Sequence, residues 1–200
     1  SLVRLNDTRE HTEETDGCAV DGVEIRVVDD NRHEVPHGQE GEEASRGPQV
    51  FVGYWGEPEM TARALDADGW YYSGDYCRTD SEGRYIRITG RKKDIIVRGG
   101  ENISSREVED IVLEYPGVRE AAVVAMPDER LGERSCACVS MRPGAPAMHL
   151  TDLVAFFDGR RVAKYKFPEY LVVLDALPRT SSGKLQKFAL ARMVRERVAA

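Results

Sequence analysis

Residues 88–109, ITGRKKDIIVRGGENISSREVE, mark a change in the pattern of the chain. Apolar runs typical of strands stand on either side of the polar residues 90–93, and we predict strands at 84–88 and 94–97. Before this stretch the chain has short strand patterns separated by turns, and after it helix and strand patterns alternate. The stretch therefore predicts a boundary between two structurally different parts.

The second half of the same stretch predicts a turn followed by a helix. Gly99 and Gly100 present bare backbone, which a ligand can approach closely, although the end of a hairpin uses such a pair equally well. Ser104 and Glu107 form a capping-box pattern, and the apolar residues behind them share one helix face. We therefore predict a helix that runs to about residue 114.

The chain divides here into two predicted domains, residues 1–90 and 91–200. The first shows short strands, such as 22–28 and 49–54, joined by turns rich in Gly, Pro and Asp. The second predicts an α+β fold in which helices cover a small mixed sheet. Its further elements are expected to be strands at 120–125, 135–141 and 170–174, and helices at 151–157 and 188–198.

Charge divides the chain at the same place. The 200 residues contain 28 Lys and Arg and 35 Asp and Glu; residues 1–90 hold 9 and 20 of these, which leaves 19 and 15 for residues 91–200. An acidic part followed by a basic part suggests two units that face each other across a cleft, with cations available to phosphates. Chance variation in surface charge is the alternative.

Composition excludes several classes of protein. With 41% apolar and 32% charged residues, the chain is typical of a soluble protein with a hydrophobic core. The longest apolar run, 121–126, is too short to cross a bilayer, and no targeting signal opens the sequence, so we expect a cytoplasmic protein. The small positive excess of the second part, with few aromatic residues among its cations, argues against nucleic-acid binding.

Cysteine and histidine spacing predicts neither disulfides nor a metal site. The four cysteines include no CxxC pair, so reduced thiols are expected. Cys136 and Cys138 would share one face of a strand, which is typical of core packing. His33 and His37 are separated by Pro36, which breaks the helix that would align them as ligands.

Lys184 lies within residues 178–187, PRTSSGKLQK, and is a candidate catalytic cation. Turn formers precede it, and an amphipathic helical pattern begins at Leu185 and continues through Phe188, Leu190 and Val194. A single ammonium is therefore expected at the tip of a mobile loop, where it can enter a pocket, neutralise an anion and leave again. An ordinary solvated lysine before a helix is the alternative.

Two further polar groups are candidates for binding a nucleotide. Asp75 follows a predicted glycine turn in YYSGD, residues 71–75, and its two oxygens can accept hydrogen bonds from adjacent hydroxyls such as those of a ribose. A turn aspartate that caps its own backbone is the alternative. Arg91 places a guanidinium at the boundary between the two parts, and a solvated linker is the alternative.

Four motifs in this order resemble the adenylate-forming (ANL) superfamily of acyl-CoA synthetases, luciferases and peptide-synthetase adenylation domains: YYSGD, ITGRKKDIIVRGGENISSREVE, KYKFPEY and PRTSSGKLQK. GEEASRGPQVFVGYW, residues 41–55, is similar to the segment that precedes the aspartate motif there. The resemblance covers nearly the whole chain. It implies that residues 1–90 are the β-barrel-like tail of a large AMP-binding domain and that residues 91–200 are the small C-terminal lid domain.

The resemblance implies a two-step ligase reaction. A carboxylate attacks the α-phosphate of MgATP to give an acyl-adenylate and pyrophosphate, and the thiol of CoA then displaces AMP to form a thioester. Lys184 is implied as the catalytic cation of the first step, in which negative charge concentrates at the α-phosphorus. Asp75 is implied to bind the ribose hydroxyls, Arg91 to support it, and Ile88 to form an apolar wall beside the nucleotide.

The resemblance also implies that the small domain rotates between the two steps. Lys93 falls at the position of the hinge, where one residue absorbs a large change in backbone angles. The rotation would withdraw Lys184 and bring the CoA-binding segment, Gly99, Gly100 and Glu101, toward the pantetheine channel.

The phosphate-binding loop and the acyl pocket of the superfamily are missing from these 200 residues. We therefore expect a C-terminal portion of a longer acid–CoA ligase for a fatty, alicyclic or aromatic acid, inactive by itself. The parent would use ATP, Mg²⁺ and CoA, none bound tightly by this portion, and the missing N-terminal domain would be its partner. Two alternatives stay open: an adenylation domain that loads a carrier protein, and a noncatalytic adenylate-binding or interaction module.

Overall fold

The structure, a computed structural model, describes residues 1–198, and the chain forms two compact units. The first unit is Ser1–Lys93 and the second begins at Asp94, three residues beyond the boundary that the sequence predicts. Each unit contains its own β-sheet and short helices, which confirms the α+β class. No helix described between residues 1 and 198 has the length and apolar character needed to cross a bilayer.

The first unit is built on a four-stranded antiparallel sheet in the order β1-β2-β3-β4. Its strands are β1 (Glu24–Val28), β2 (Gly41–Arg46), β3 (Tyr71–Thr79) and β4 (Ile86–Arg91), and its helices are α1 (Arg9–Glu14) and α2 (Pro58–Ala64). Trp70 and Tyr72 pack with Val28 and Ala44 in a small buried cluster. The Arg26 guanidinium lies 3.9 Å from the Trp70 ring centroid, so this aromatic surface also holds a cation.

The predicted strand at residues 49–54 is wrong. Val52, which contributed to the apolar pattern, is fully exposed. The Tyr54 N–H donates to Thr61 Oγ1 at 2.9 Å, so the loop is joined to α2 instead of to a neighbouring strand. The strand of this region is β2, whose polar sequence GEEASR lacks the apolar alternation that would have predicted it. Pairing with β1 and β3 on its two sides stabilises it instead.

The strands around the predicted boundary are also displaced. β4 ends at Arg91, so Gly90 and Arg91 pair with β3 and do not form a linker. Only Lys92–Asp94 separate β4 from the next strand, as a single 3-10 turn. The cross-strand pairing of Arg91 with Asp75 explains the difference, because an opposite-charge pair supports the strand beyond its apolar residues.

The second unit is a five-stranded mixed sheet flanked by helices, as the sequence predicts. The strand order is β6-β5-β8-β7, and β9 runs parallel to β8 while the other pairs are antiparallel. The elements are β5 (Ile95–Arg98), β6 (Glu101–Ser104), α3 (Ser105–Leu113), β7 (Val118–Asp128), β8 (Gly132–Met141), α4 (Leu150–Asp158), β9 (Tyr170–Val173) and α5 (Lys187–Val198). The sequence did not predict β6, α1 or α2 as separate elements.

Two apolar clusters cover the two faces of this sheet. α3 and α4 bury their apolar residues against one face, which includes Ala137 and Val139 of β8. α5 buries Leu190 and Val194 against the other face, which includes Cys136 and Cys138. The alternation along β8 confirms that the two cysteines share one face and pack in the core. Phe188 does not belong to the buried face of α5 as predicted, since 83% of its side chain is exposed.

Candidate functional site

The first candidate site lies where β3 and β4 pair. Asp75 of β3 stands opposite Arg91 of β4, and Arg91 Nε lies 2.8 Å from Asp75 Oδ1. Oδ1 is buried, and no described group donates a hydrogen bond to it with good geometry, so the contact with Arg91 is an ion pair. The Asp75 side chain as a whole is 27% exposed, so ligand hydroxyls can still reach the carboxylate and donate hydrogen bonds to its oxygens.

A β-bulge, and not a turn, orients Asp75. The register between β2 and β3 shifts at this point, and Gly74 adopts a φ of +73° within β3. The Gly74 N–H donates to Glu42 Oε1 at 3.0 Å, and the Asp75 N–H donates to Ser73 Oγ at 3.1 Å. A Cβ at Gly74 would meet nothing within 4 Å, so the glycine is required for its backbone angle and not for space.

Ile88 lies on the same strand as Arg91, three residues before it. Its N–H donates to Asp16 Oδ2 at 2.8 Å, which fixes the backbone at this position. Its side chain is 37% exposed and so offers apolar surface to a ligand.

Sequence reasoning missed a partly buried carboxyl near Asp75. Glu43, on β2, has a raised pKa, mainly because burial disfavours its charge, and the nearby Asp75 carboxylate adds to the shift. Hydrogen bonds from Ser73 and Ser45 oppose the shift. No pattern in the sequence distinguishes this glutamate from Glu42, which precedes it.

The predicted hinge residue, Lys93, is exposed and lies in the 3-10 turn between β4 and β5. Its neighbour Lys92 is instead held in the first unit by two ion pairs. Lys92 Nζ lies 2.9 Å from Asp30 Oδ1 and 3.0 Å from Glu42 Oε2. Burial lowers the pKa of Lys92, but these two carboxylates more than compensate, and the net shift is upward. The last firmly paired cation of the first unit thus immediately precedes Lys93.

The predicted CoA-binding residues form a tight hairpin turn, residues 98–101, called here the glycine turn. Gly99 has a φ of +60° and Gly100 a φ of +92°, a region that favours glycine. The Gly99 N–H donates to the Leu131 carbonyl at 2.8 Å. A Cβ on Gly100 would meet nothing within 4 Å, so the tip is open to an approaching ligand, and Glu101 at the start of β6 is exposed.

Lys184 lies on a closed turn, residues 179–185, called here the lysine turn. The Thr180 N–H donates to the Lys184 carbonyl at 2.8 Å, and the Lys184 N–H donates to Thr180 Oγ1 at 3.0 Å. Arg179 Nη1 donates to the Gly183 carbonyl at 2.7 Å, and its Nη2 donates to Glu120 Oε1. The backbone of the tip is thus held by hydrogen bonds.

The Lys184 side chain is exposed, and none of the carboxylates that the structure describes lies within ion-pairing distance of its ammonium. Most other cations that flank it in the sequence are engaged, as Arg179 is with Glu120 and Lys187 is with Glu109. The turn therefore offers, on a constrained backbone, one exposed positive charge that no described carboxylate neutralises, since the charge of Arg179 is paired with Glu120.

A buried cluster that the sequence did not reveal anchors the end of the lysine turn. Lys187, the first residue of α5, places its Nζ 2.6 Å from Glu109 Oε1 and 2.9 Å from Ser105 Oγ, with Asp94 Oδ2 at 3.7 Å. The Val123 N–H also donates to Glu109 Oε1, at 2.7 Å. A glutamate on the apolar side of α3 was the available signal, and it was not recognised.

Within the described residues, no group of three or more His, Cys, Asp or Glu side chains has the arrangement of a metal site. The four cysteines are free, and burial raises the pKa of Cys77 to about 12. In the first unit, Asp75 and Arg91 pair across β3 and β4, and Ile88 lies on β4 opposite Cys77. The glycine turn and Lys184 lie in the second.

Family models match both units of the chain. The AMP-binding enzyme model matches residues 2–55, and the AMP-binding enzyme C-terminal domain model matches residues 107–184. The chain belongs to the AMP-binding enzyme family. The resemblance to the adenylate-forming superfamily is thereby confirmed.

Relatives are found both by comparison of the sequence and by comparison of the fold. A medium-chain fatty-acid–CoA ligase of Escherichia coli (strain K12) is 62% identical, covering 99% of this chain and 35% of that protein. The vibriobactin-specific 2,3-dihydroxybenzoate-AMP ligase of Vibrio cholerae is 40% identical, covering 96% and 35%. ATP-bound MatB from Rhodopseudomonas palustris matches with a TM-score of 0.85 at 35% identity, covering 92% and 36%. The chain spans about a third of the length of these relatives.

Proposed function

We propose that this chain is the C-terminal part of an ATP-dependent ligase that joins a carboxylic acid, of the medium-chain fatty acid class, to CoA. The observation that carries the proposal is the single exposed ammonium of Lys184 on a hydrogen-bonded turn. The 62% identity to a medium-chain fatty-acid–CoA ligase supports the substrate class. A cytoplasmic location belongs to the same proposal and is tested by fractionating cells that make the parent protein.

Asp75 and Arg91 form the nucleotide-binding part of the proposal. Asp75 accepts hydrogen bonds from the ribose hydroxyls, and Arg91 Nε, 2.8 Å from Asp75 Oδ1, pairs with the carboxylate and orients it. Ile88 contributes apolar surface on the same strand. The parent takes ATP as its magnesium complex.

Lys184 supplies the positive charge of the adenylation step. The acid carboxylate attacks the α-phosphorus, the bond from that phosphorus to the bridging oxygen breaks, and pyrophosphate leaves with its electron pair. Negative charge accumulates on the α-phosphoryl oxygens during this exchange, and a cation already held in place stabilises it. The closed turn makes this stabilisation more effective, because little backbone freedom remains to be lost when the ammonium binds the phosphate.

The second step uses the glycine turn. The CoA thiolate attacks the acyl carbonyl, and AMP leaves with the electron pair of the broken acyl–phosphate bond. Gly100 presents backbone that a pantetheine chain can approach closely, because a Cβ there would meet nothing within 4 Å. At Gly99 the Leu131 side chain lies close by, 3.3 Å from the position of a Cβ, and bounds the tip on that side. Lys93 is proposed as the hinge that lets the second unit serve each step in turn.

Two alternatives are separated by the products of the reaction. Pyrophosphate release without an acyl-CoA product would favour an adenylation domain that loads a carrier protein, and the acid–AMP ligase among the relatives gives this alternative weight. Absence of both products would favour a noncatalytic adenylate-binding module.

The test of the proposal is the parent enzyme with Lys184→Ala, assayed with ATP, Mg²⁺, CoA and octanoate. Adenylation should fall about 100- to 1000-fold, as when one preorganised donor to a developing charge is removed. Lys164→Ala, which removes another exposed lysine of the same unit, is the matched control and should leave pyrophosphate release unchanged. Normal pyrophosphate release by Lys184→Ala would overturn the proposal.

The hinge is tested by Lys93→Pro in the same parent. Proline fixes φ near −65° and so prevents a large change in backbone angle at this position. We expect one step to survive and overall acyl-CoA formation to fail. Unimpaired thioester formation would show that Lys93 is not the hinge.

A further inference from the structure

We propose that Glu169 is a positioning residue for the thioester step, because it holds the glycine turn in place through Arg98. The inference rests on the proposed function, in which the glycine turn serves the second half-reaction and Lys184 the first. It assigns a role to a carboxylate that does not contact the reacting atoms.

Arg98 and Glu169 form a two-point ion pair directly beside the turn. Arg98 Nε lies 2.8 Å from Glu169 Oε2, and Arg98 Nη2 lies 3.0 Å from Glu169 Oε1. The two side chains are 24% and 21% exposed, so solvent screens the pair only in part. Two parallel hydrogen bonds fix the plane of the guanidinium as well as its distance. Arg98 immediately precedes Gly99, so the pair constrains the start of the turn.

Glu169 is itself held by the rest of the second unit. Arg134 Nη1 donates to Glu169 Oε1 at 3.0 Å, and Arg134 also pairs with Asp128. The Glu169 N–H donates to the Ser135 carbonyl at 2.9 Å. The four side chains alternate in sign from Asp128 to Arg98, so they form a neutral network and leave no isolated buried charge.

The hairpin of β5 and β6 needs such a network because its tip has little other support. Ile96 and Ile103 anchor its base in the apolar core. Toward the tip, β5 pairs with β8 at a single position among the described residues, where Arg98 lies opposite Gly132. The Val97 N–H bond to Glu133 Oε2 and the Gly99 N–H bond to the Leu131 carbonyl, both 2.8 Å, hold the other side. The Arg98 side chain is thus a main support of the turn.

The lysine turn rests on different side chains. Arg179 pairs with Glu120, and Lys187 pairs with Glu109. Neither pair shares a residue with the network of Arg98 and Glu169. Loss of the Glu169 charge should therefore displace the glycine turn and leave the position of Lys184 unchanged.

The experiment measures the two half-reactions separately in the parent enzyme with Glu169→Gln. Pyrophosphate release reports adenylation, and the conversion of purified octanoyl-adenylate and CoA to octanoyl-CoA reports the thioester step. We expect kcat/KM for CoA to fall at least about tenfold, because a displacement of about 1 Å costs a positioned reaction up to about 100-fold. Adenylation should stay within about twofold of the wild type.

Two further variants separate positioning from general damage to the fold. Glu114→Gln removes an arginine–carboxylate pair away from the turn, in which Arg160 Nη2 lies 2.8 Å from Glu114 Oε2, and should change neither half-reaction. Arg98→Lys keeps the charge but loses the fork, and should reproduce the selective loss of the thioester step. Thermal melting of each variant checks that the parent remains folded.

Equal losses in both half-reactions, or no loss in either, would overturn the role of Glu169. The ratio of thioester rate to adenylation rate should fall in Glu169→Gln and rise in Lys184→Ala. If Lys184→Ala left adenylation intact, the proposed function would fail, whatever the result for Glu169→Gln. The two failures are therefore distinguishable.

Discussion

The glycine turn and the lysine turn are held in place by different kinds of contact. The lysine turn must present a side chain, and its own backbone is closed by the hydrogen bonds between Thr180 and Lys184. The glycine turn must present bare backbone, and Arg98 and Glu169 hold it from beside the tip. The difference teaches that a turn without side chains at its tip depends on neighbouring residues for its rigidity.

The two turns also lead into different elements. The lysine turn leads into α5, whose first residue, Lys187, is the cation of the buried cluster around Glu109. The glycine turn leads into the short strand β6, which contributes Ile103 to the core. A substitution can therefore weaken the lysine turn from its base, whereas the glycine turn is most sensitive at its tip.

The largest effect is expected for Lys187→Met, which tests the base of the lysine turn. The substitution leaves Glu109, 8% exposed, without its cation. Breaking such a buried pair costs about 3 kcal/mol of the free energy of unfolding. Urea denaturation of the 200-residue chain measures this loss, and faster hydrogen exchange at the Val123 amide, which donates to Glu109, should accompany it.

Phe188→Ala is the control for this prediction, because Phe188 is the next residue and is 83% exposed. Its effect should stay within about 0.5 kcal/mol. If Lys187→Met were no more destabilising than Phe188→Ala, the buried cluster would not be the anchor of the lysine turn.

The parts of the fold that the sequence predicts are those set by local pattern. Helix α3 begins at its Ser104 cap and buries Val108 and Val112, as the 3.6-residue period requires. The sequence does not predict strand β2, because pairing with β1 and β3 stabilises this strand and its residues show no apolar alternation. Tertiary pairing overrides local propensity in such a case.

The sequence likewise predicts some features of the candidate site and not others. Lys184, Gly99 and Gly100 could be named from the sequence because each lies within a contiguous motif. Their supports, Arg98 and Glu169, also lie within motifs, but the contact between the two could not be predicted, since they are 71 residues apart in the chain. Only the folded sheet brings such residues together, and no periodicity encodes that contact.

Glycine replacements at the two tips should have the next largest effects. Gly100→Ala and Gly183→Ala each place a Cβ at a positive φ, +92° and +83°, where no atom lies within 4 Å. The cost is conformational and amounts to about 1–2 kcal/mol. Hydrogen exchange should accelerate at the Gly99 amide in the first variant and at the Thr180 amide in the second.

Each glycine variant serves as the control for the other. Gly100→Ala should leave the Thr180 amide protected, and Gly183→Ala should leave the Gly99 amide protected. Acceleration at both amides in either variant would mean that the two turns share one support and are not held independently.

Acid should loosen the lysine turn by a smaller amount. The hydrogen bond from Arg179 and, to a smaller extent, that from Ser140 lower the pKa of Glu120 from its ordinary value. A lowered folded-state pKa means that the pair stabilises the turn above the unfolded-state pKa and that this contribution is lost as the pH falls through the folded-state pKa. Because Arg179 is 47% exposed, the loss is at most about 1 kcal/mol.

The measurement is the protection factor of the Thr180 amide, corrected for the intrinsic pH dependence of exchange. It should decrease below the ordinary glutamate range in the wild type. In Glu120→Gln the protection should be low throughout and free of this decrease. An unchanged acid decrease in Glu120→Gln would assign the titration to another group.

The smallest effect is expected on the rate at which two thiols buried beneath α5 are alkylated. Cys136 and Cys138 are buried against Leu190 and Val194, and the hydrogen bond between the thiols, followed by burial, raises the pKa of Cys136. Alkylation of these two cysteines in the 200-residue chain therefore requires α5 to open.

Gly183→Ala should speed this alkylation by about threefold or less, because strain at the lysine turn reaches α5 only through its first residues. Gly100→Ala should leave the rate unchanged, since the glycine turn has no residue in the cluster around Leu190. Cys18, which is partly exposed, gives an internal reference rate in each variant. Equal acceleration by both glycine variants would show that the two turns open together, and the separation of their supports would then be wrong.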